Sequence, residues 1–151
     1  MNIMKALLVI FLTATVCIGT AVGQGSTEEA EALVKKAISY YKANGPEKTF
    51  TEISDTKGQF VKGDLYVFVY DLSGKCVAHG GNSKMVGKDL IDLKDADGKD
   101  FVKERIEIAK TKGSGWQNYK WTNPVSKQIE SKTAYIQKVD DYIFGCGAYK
   151  K

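Results

Sequence analysis

The chain has 151 residues, and its 22 lysines and arginines against 18 aspartates and glutamates give a formal net charge of +4. This length suits a single domain with one buried core and is short for two domains. The basic excess is spread among acidic residues without a basic block, so the composition argues against nucleic acid and against an anionic membrane as partners.

The first 23 residues have the layout of a secretory signal peptide. Lys5 precedes an apolar run from Ala6 to Val22, and Ala21-Val22-Gly23 has the small-x-small pattern of a cleavage site. We therefore expect a signal peptide over 1–23 and a mature domain over 24–151, periplasmic or secreted, with no stable membrane insertion after cleavage. The alternative is a retained N-terminal membrane anchor, since a run of about 17 apolar residues is the shortest that spans a bilayer.

Two helices are expected before the first strand. Ser26-Thr27-Glu28-Glu29 has the form of a capping box, and apolar residues follow it at three- and four-residue spacing as far as Tyr41. Asn44-Gly45-Pro46 ends this amphipathic helix, because glycine suits the position after a helix and proline cannot continue the turn. Pro46 then begins a short second helix that turns Phe50 and Ile53 toward the core.

Five strands are expected from Leu65 onward, because five segments rich in aromatic and β-branched side chains are separated by turn residues. They are Leu65–Asp71, Lys75–His79, Gly115–Trp121, Ile129–Lys138 and Tyr142–Tyr149. Side chains alternate along a strand, so Tyr66, Phe68 and Tyr70 share one face of the first strand and two valines share the other. The aliphatic face is the expected bed for the first helix.

A long connection joins the second and third strands. It reads as loop from Gly80 to Leu93, and a helix is expected from Asp97-Gly98 to about Thr111. The expected inward residues of this helix are Phe101, Val102, Ile106 and Ala109. Because ordering such a loop costs conformational entropy, we expect the connection to be functional.

Three motifs resemble the extracytoplasmic single Cache domain family, the PAS-like sensor modules of bacterial chemoreceptors and histidine kinases. They are VFVYDLSGKCVAHG, MVGKDLIDLKDADGKDFVKERIEIAKTKGSGWQNYKW, and SKTAYIQ followed by YIFGCGAY, in the family's order and spacing. The resemblance implies an α+β fold: a PAS-like five-stranded antiparallel sheet with a long N-terminal helix on one face and a loop-helix cover on the other. It also implies a soluble sensor domain, not an enzyme, that binds a small organic anion such as a short-chain carboxylate and feeds a membrane receptor or kinase partner.

In such domains the ligand lies between the aromatic face of the first strand and the loop-helix cover. The candidate ligand-binding residues on this basis are Phe68, His79, Lys103, Tyr119, Trp121 and Lys132. The aromatic members have an alternative role as core residues.

Lys132 matches the family's lysine in the same strand motif and is the expected principal cation, because an inward lysine beside small residues can anchor a carboxylate. The alternative is an edge lysine that reaches solvent. Lys103 matches a usually basic position, whereas Arg105 stands where the family more often has methionine. His79, the only histidine, could donate to a ligand carboxylate, hold the connecting loop, or ligate haem.

The thiols of Cys76 and Cys146 are expected to be buried and free. In a PAS-like sheet the first strand lies between the second and the fifth, so the two cysteines would be roughly 9.6 Å apart, beyond the reach of a disulfide.

No cofactor or metal is expected. The acidic run from Asp92 to Asp100 partly matches a calcium loop, but the first ligand position of an EF-hand register falls on Leu93. Two alternative functions remain open on the sequence: an envelope interaction protein without a ligand, and a haem or redox protein built on His79 and Cys146.

Overall fold

The helices and strands follow nearly the predicted order in a computed structural model that describes residues 23–150. They are α1 (Thr27–Asn44), α2 (Pro46–Ser54), β1 (Val61–Lys62), β2 (Leu65–Tyr66), β3 (Phe68–Asp71), β4 (Cys76–His79), a 3-10 turn (Ser83–Met85), α3 (Phe101–Lys112), β5 (Ser114–Thr122), β6 (Ile129–Val139) and β7 (Tyr142–Lys150). The predicted signal peptide lies outside the described residues except for Gly23. Within residues 23–150, no helix combines the length and apolarity needed to cross a bilayer.

The main sheet has five antiparallel strands in the order β4-β3-β7-β6-β5. The α+β architecture expected from the sequence is therefore confirmed, including the position of β3 between β4 and β7. Cys76 lies on β4 and Cys146 lies on β7, on either side of β3, and both thiols are buried and free.

The helix α1 covers one face of the sheet and begins and ends as predicted. The Ser26 hydroxyl accepts from the Glu29 backbone N–H at 3.1 Å, and the Glu29 carboxylate accepts from the Ser26 N–H at 3.0 Å, which completes the capping box. Gly45, with φ of +79°, ends α1, and Pro46 begins α2. The buried residues of α1 belong to the same apolar cluster as Val67 and Val69 of the predicted aliphatic face, but the helix packs mainly on β7 and β6.

The opposite face of the sheet is aromatic and is covered by α3. Tyr66, Phe68 and Tyr70 form one apolar cluster with Phe101 and other inward residues of α3. The two faces of the sheet thus have separate cores, and the candidate site belongs to the second.

The first predicted strand is divided in two at Val67, which corrects the expectation of one strand over Leu65–Asp71. The backbone changes partners at this residue: the Val67 N–H donates to Phe60, and its carbonyl accepts from Gly80. As a result, β2 pairs with β1 in a small hairpin, whereas β3 pairs with β4 and β7. Tyr66 and Phe68 remain on the same aromatic face.

The expected start of the connecting helix at Asp97-Gly98 is also wrong, because α3 begins at Phe101. Gly98 has φ of +81°, a left-handed conformation that does not fit a helix. The Asp95 carboxylate accepts from the backbone N–H groups of Asp97 and Lys99, each at 2.9 Å, and holds this segment as a turn.

The connecting segment, residues 80–100, reaches both outer edges of the sheet. Beside β4, the backbone of Cys76 donates to Lys88 at 2.9 Å and accepts from Gly87 at 2.8 Å. Beside β5, the Asp95 carboxylate accepts from the Lys120 N–H at 2.9 Å, and a lysine side chain from the same segment reaches the Asn118 carbonyl. The segment is therefore fixed at two opposite edges.

Candidate functional site

The centre of the site is the ammonium group of Lys132, on β6. The side chain is 1% exposed and crosses β7 at Gly147, where a Cβ would lie 2.6 Å from Lys132 Cε. The absence of a side chain at Gly147 is what makes room for the lysine. The long side chain of Lys132 therefore lies across a part of β7 that has no side chain of its own.

Four aromatic rings surround this ammonium and form what we call the aromatic box. The distances from Lys132 Nζ to the ring centroids are 4.0 Å for Tyr66, 4.9 Å for Tyr149, 5.3 Å for Phe68 and 5.8 Å for Tyr119. Ring faces attract a cation but supply no lone pair on an oxygen. Among the described residues, Lys132 Nζ has no hydrogen-bond partner.

A second buried cation, Arg105, enters the same face from α3. Its guanidinium carbon lies 4.2 Å from the Phe68 ring centroid and 4.7 Å from that of Tyr70. Nε donates to the Gln117 side-chain oxygen at 3.3 Å, whereas Nη2 is buried without a partner in the described structure. Gln117 is itself held, because its amide donates to the Phe101 carbonyl at 2.6 Å.

His79 closes the site at the end of β4. Its Nδ1 accepts from the Asn82 N–H at 2.9 Å, so a neutral ring carries its proton on Nε2. Burial lowers the pKa of His79 to about 3, and the charges of Lys132 and Arg105 act in the same direction. The histidine is therefore a neutral hydrogen-bond donor near pH 7.

The hydroxyl groups of Tyr66 and Tyr149, two tyrosines of the aromatic box, form a hydrogen bond with each other. Tyr149 donates to the Thr122 carbonyl at 2.9 Å, and its oxygen is 3.1 Å from the hydroxyl of Tyr66. Since the one proton of Tyr149 is committed to Thr122, Tyr66 is the donor between them. Burial raises the pKa of both phenols, so neither supplies an anion to Lys132 near neutral pH.

The electrostatic result is a site with excess positive charge. Burial lowers the pKa of Lys132 to about 7, and repulsion from Arg105 adds to this effect, while Cys146 and Asp64 oppose it. Burial also raises the pKa of the Cys146 thiol to about 12, so this thiol is neutral at pH 7 and offsets no charge there. The Asp64 carboxylate accepts from the Gly25 N–H at 3.0 Å and forms no ion pair with Lys132.

A cleft of about 390 Å³ opens beside the aromatic box. Tyr66, His79, Gly81 and Trp121 are among its lining residues. Gly81 lies against the Tyr66 ring, where a Cβ would approach to 2.7 Å, so the loop backbone forms part of the wall. The volume is near the lower end of the range for small-molecule sites.

The structure brings together four of the predicted site residues: Phe68, His79, Tyr119 and Lys132. Trp121 packs on Phe101 at 5.4 Å between ring centroids and also borders the cleft.

Lys103 lies apart from this group. Its side chain is on the outer side of α3 and forms ion pairs with Asp92 at 2.8 Å and Asp100 at 3.6 Å. Arg105, which was not among the predicted ligand-binding residues, is buried next to the aromatic box.

The sequence matches the family described as Single Cache domain 2 over residues 2–151. Among curated proteins, it is 36% identical over 88 residues to Sensor histidine kinase MctS of Rhizobium johnstonii, covering 57% of this chain and 19% of the relative. It is 34% identical over 88 residues to Methyl-accepting chemotaxis protein McpP of Pseudomonas putida, covering 57% of this chain and 16% of the relative. The matched part is thus less than a fifth of either relative.

Two solved structures share the fold. One is described as the structural basis for carboxylic acid recognition by a Cache chemosensory domain. It has a TM-score of 0.70 and 26% sequence identity, and the match covers 83% of this chain and 93% of the neighbour's chain. The other is a methyl-accepting chemotaxis protein from Vibrio parahaemolyticus. It has a TM-score of 0.69 and 25% sequence identity, and the match covers 81% of this chain and 86% of the neighbour's chain. The chain therefore belongs to the single Cache domain 2 family of extracytoplasmic sensor domains.

Proposed function

We propose that this domain binds a small organic carboxylate in the aromatic box and presents the loaded state to a membrane receptor or kinase. The observation that carries the proposal is the ammonium of Lys132, which is buried and has no hydrogen-bond acceptor among the described residues. A buried charge without a partner is costly, and a carboxylate would supply both the opposite charge and the missing acceptor.

The surroundings of Lys132 favour a short ligand with an apolar part. The rings of Tyr66, Phe68 and Tyr119 bound the space around the ammonium and can pack against one or a few methylene groups. His79 can donate from Nε2 to a ligand oxygen. A structural neighbour described as recognising carboxylic acids supports the same ligand class.

Calorimetric titration of the purified chain with two- to four-carbon organic acids tests the proposal. We expect at least one acid to bind, and we expect Lys132→Met to weaken that binding at least tenfold, which corresponds to about 1.4 kcal/mol. Lys110→Met is the matched control, because Lys110 is exposed in the last turn of α3. If the parent binds none of the acids, or if Lys132→Met binds as tightly as the parent, an envelope interaction protein without a ligand becomes the better explanation.

Export requires a separate test. The apolar run that ends at Val22 and the small residues Ala21 and Gly23 predict cleavage before Gln24. We expect N-terminal sequencing of the protein from the envelope or the medium to begin near Gln24. A sequence that begins at Met1 in the membrane fraction would show that the segment is retained as an anchor.

A further inference from the structure

Lys132 and Arg105 stand over the same two aromatic rings. The distances to the Phe68 centroid are 5.3 Å from Lys132 Nζ and 4.2 Å from the Arg105 guanidinium carbon. For the Tyr119 centroid they are 5.8 Å and 5.4 Å. The separation of the two charges therefore cannot exceed the sum of the two Phe68 distances, so one small molecule can reach both.

Nearby acidic side chains of the described structure are engaged elsewhere. Glu104, beside Arg105 in sequence, pairs with Lys99 at 2.9 Å and accepts from Gln117 at 2.7 Å. Asp100 pairs with Lys94 at 2.7 Å on the outer side of α3. The site thus contains two positive charges, each with a buried nitrogen that lacks an acceptor, and one carboxylate would neutralise only one of them.

From this arrangement we infer that the preferred ligand is a short dicarboxylate whose two carboxylates bind Lys132 and Arg105 separately. The inference rests on the proposed function and specifies its ligand class. The two Phe68 distances set the largest separation of the cations, and charge-assisted hydrogen bonds of about 2.7–2.9 Å at each end then leave at most about 4 Å between the two carboxylates, which suits a chain of three or four carbons. Phe68 and Tyr119 are near both cations and can pack against the methylene groups of that chain.

Gln117 acts as a positioning residue in this arrangement. Its amide is fixed by the Phe101 carbonyl, so its oxygen accepts from Arg105 Nε and leaves Nη2 directed to the ligand. The guanidinium therefore approaches the ligand with one defined edge, which favours a carboxylate at a fixed position.

The test compares dicarboxylates with monocarboxylates of equal chain length at pH 7 and constant ionic strength. The probes are malonate, succinate and glutarate against propionate, butyrate and valerate, measured by calorimetry. We expect the best dicarboxylate to bind at least tenfold more tightly than its monocarboxylate counterpart. In Arg105→Met this preference should be lost, and Lys110→Met should retain it. Arg105→Gln, which keeps a polar side chain without the charge, provides a second variant.

The outcomes separate this inference from the proposed function. Equal or tighter binding of the monocarboxylate, or a preference that survives in both Arg105 variants, overturns the dicarboxylate assignment and leaves carboxylate binding intact. Phosphate or sulfate bound as tightly as the best dicarboxylate also overturns it, because the site would then select charge rather than two separated carboxylates. If neither class of acid binds the parent, the proposed function itself fails.

Discussion

Lys132→Met is expected to make the ligand-free protein more stable at pH 7 by about 1–4 kcal/mol, because it removes a buried charge that has no partner. The pH dependence identifies the cause. The pKa of Lys132 falls from 10.5 to about 7 in the folded state, mainly because of burial. Above pH 7 the folded protein releases this proton while the unfolded chain retains it, so the free energy of unfolding should rise by up to about 1.4 kcal/mol per pH unit. Below pH 7 both states are protonated and the full cost of the buried charge is present.

The measurement is denaturant unfolding between pH 6.5 and 8.5. Three other groups set these limits. Burial lowers the pKa of His79 to about 3, which costs stability below about pH 6.5. Burial also raises the pKa of both Cys76 and Cys146 to about 12, which costs stability as the unfolded thiols ionise near pH 9. We expect the upward slope in the parent and in Lys110→Met, and a flat profile in Lys132→Met. A saturating carboxylate should flatten the parent profile as well. Equal stability and equal slopes in parent and Lys132→Met would show that the ammonium is solvated.

Gly145→Ala is expected to lower both stability and ligand affinity. A Cβ at this position would meet Cε2 and Cζ of Phe68 well inside van der Waals contact, and it would lie 3.2 Å from a methyl group of Ile136. Overpacking of this kind costs about 1–3 kcal/mol. The displaced Phe68 ring is in contact range of both cations, so carboxylate binding should weaken about tenfold, or by about 1.4 kcal/mol.

A double-mutant cycle with Phe68→Leu tests the cause. Leucine lacks the two ring atoms that clash, so the stability cost of Gly145→Ala should fall by at least half in the Phe68→Leu background. Denaturant unfolding of the four proteins gives this comparison. An unchanged cost in both backgrounds would place the strain in the β7 backbone rather than at the Phe68 ring.

Local sequence signals predicted the framework well. The capping box at Ser26, the break at Gly45-Pro46 and the alternation in β3 depend on neighbours within a few residues, and the structure confirms each of them. The division of the first strand at Val67 depends on hydrogen bonds to Phe60 and Gly80, which come from different elements. No local pattern in LYVFVYD marks that exchange of partners.

The candidate site was harder to predict, and Arg105 shows why. It lies within the predicted inward stripe of α3, between Val102 and Ile106, but a charged residue in a helix is usually solvated. Four rings bury it, and two of them, Phe68 and Tyr70, come from a strand more than thirty residues earlier in the chain. A charge inside an apolar stripe was the available signal. For Lys132, the available signal was the pair of alternate glycines, Gly145 and Gly147, because they leave one strand face without side chains.

The attachment of residues 80–100 to both outer strands also restricts how a signalling partner can dock. Addition of a strand from another protein requires a run of free backbone groups along a sheet edge. On β4, the backbone N–H and carbonyl of Cys76 are already bonded to Lys88 and Gly87, and in the middle of β5 the Lys120 N–H and the Asn118 carbonyl are bonded to side chains of the same segment. A protein that adds a strand at either edge would therefore have to displace these contacts, whereas one that recognises side chains would leave them in place.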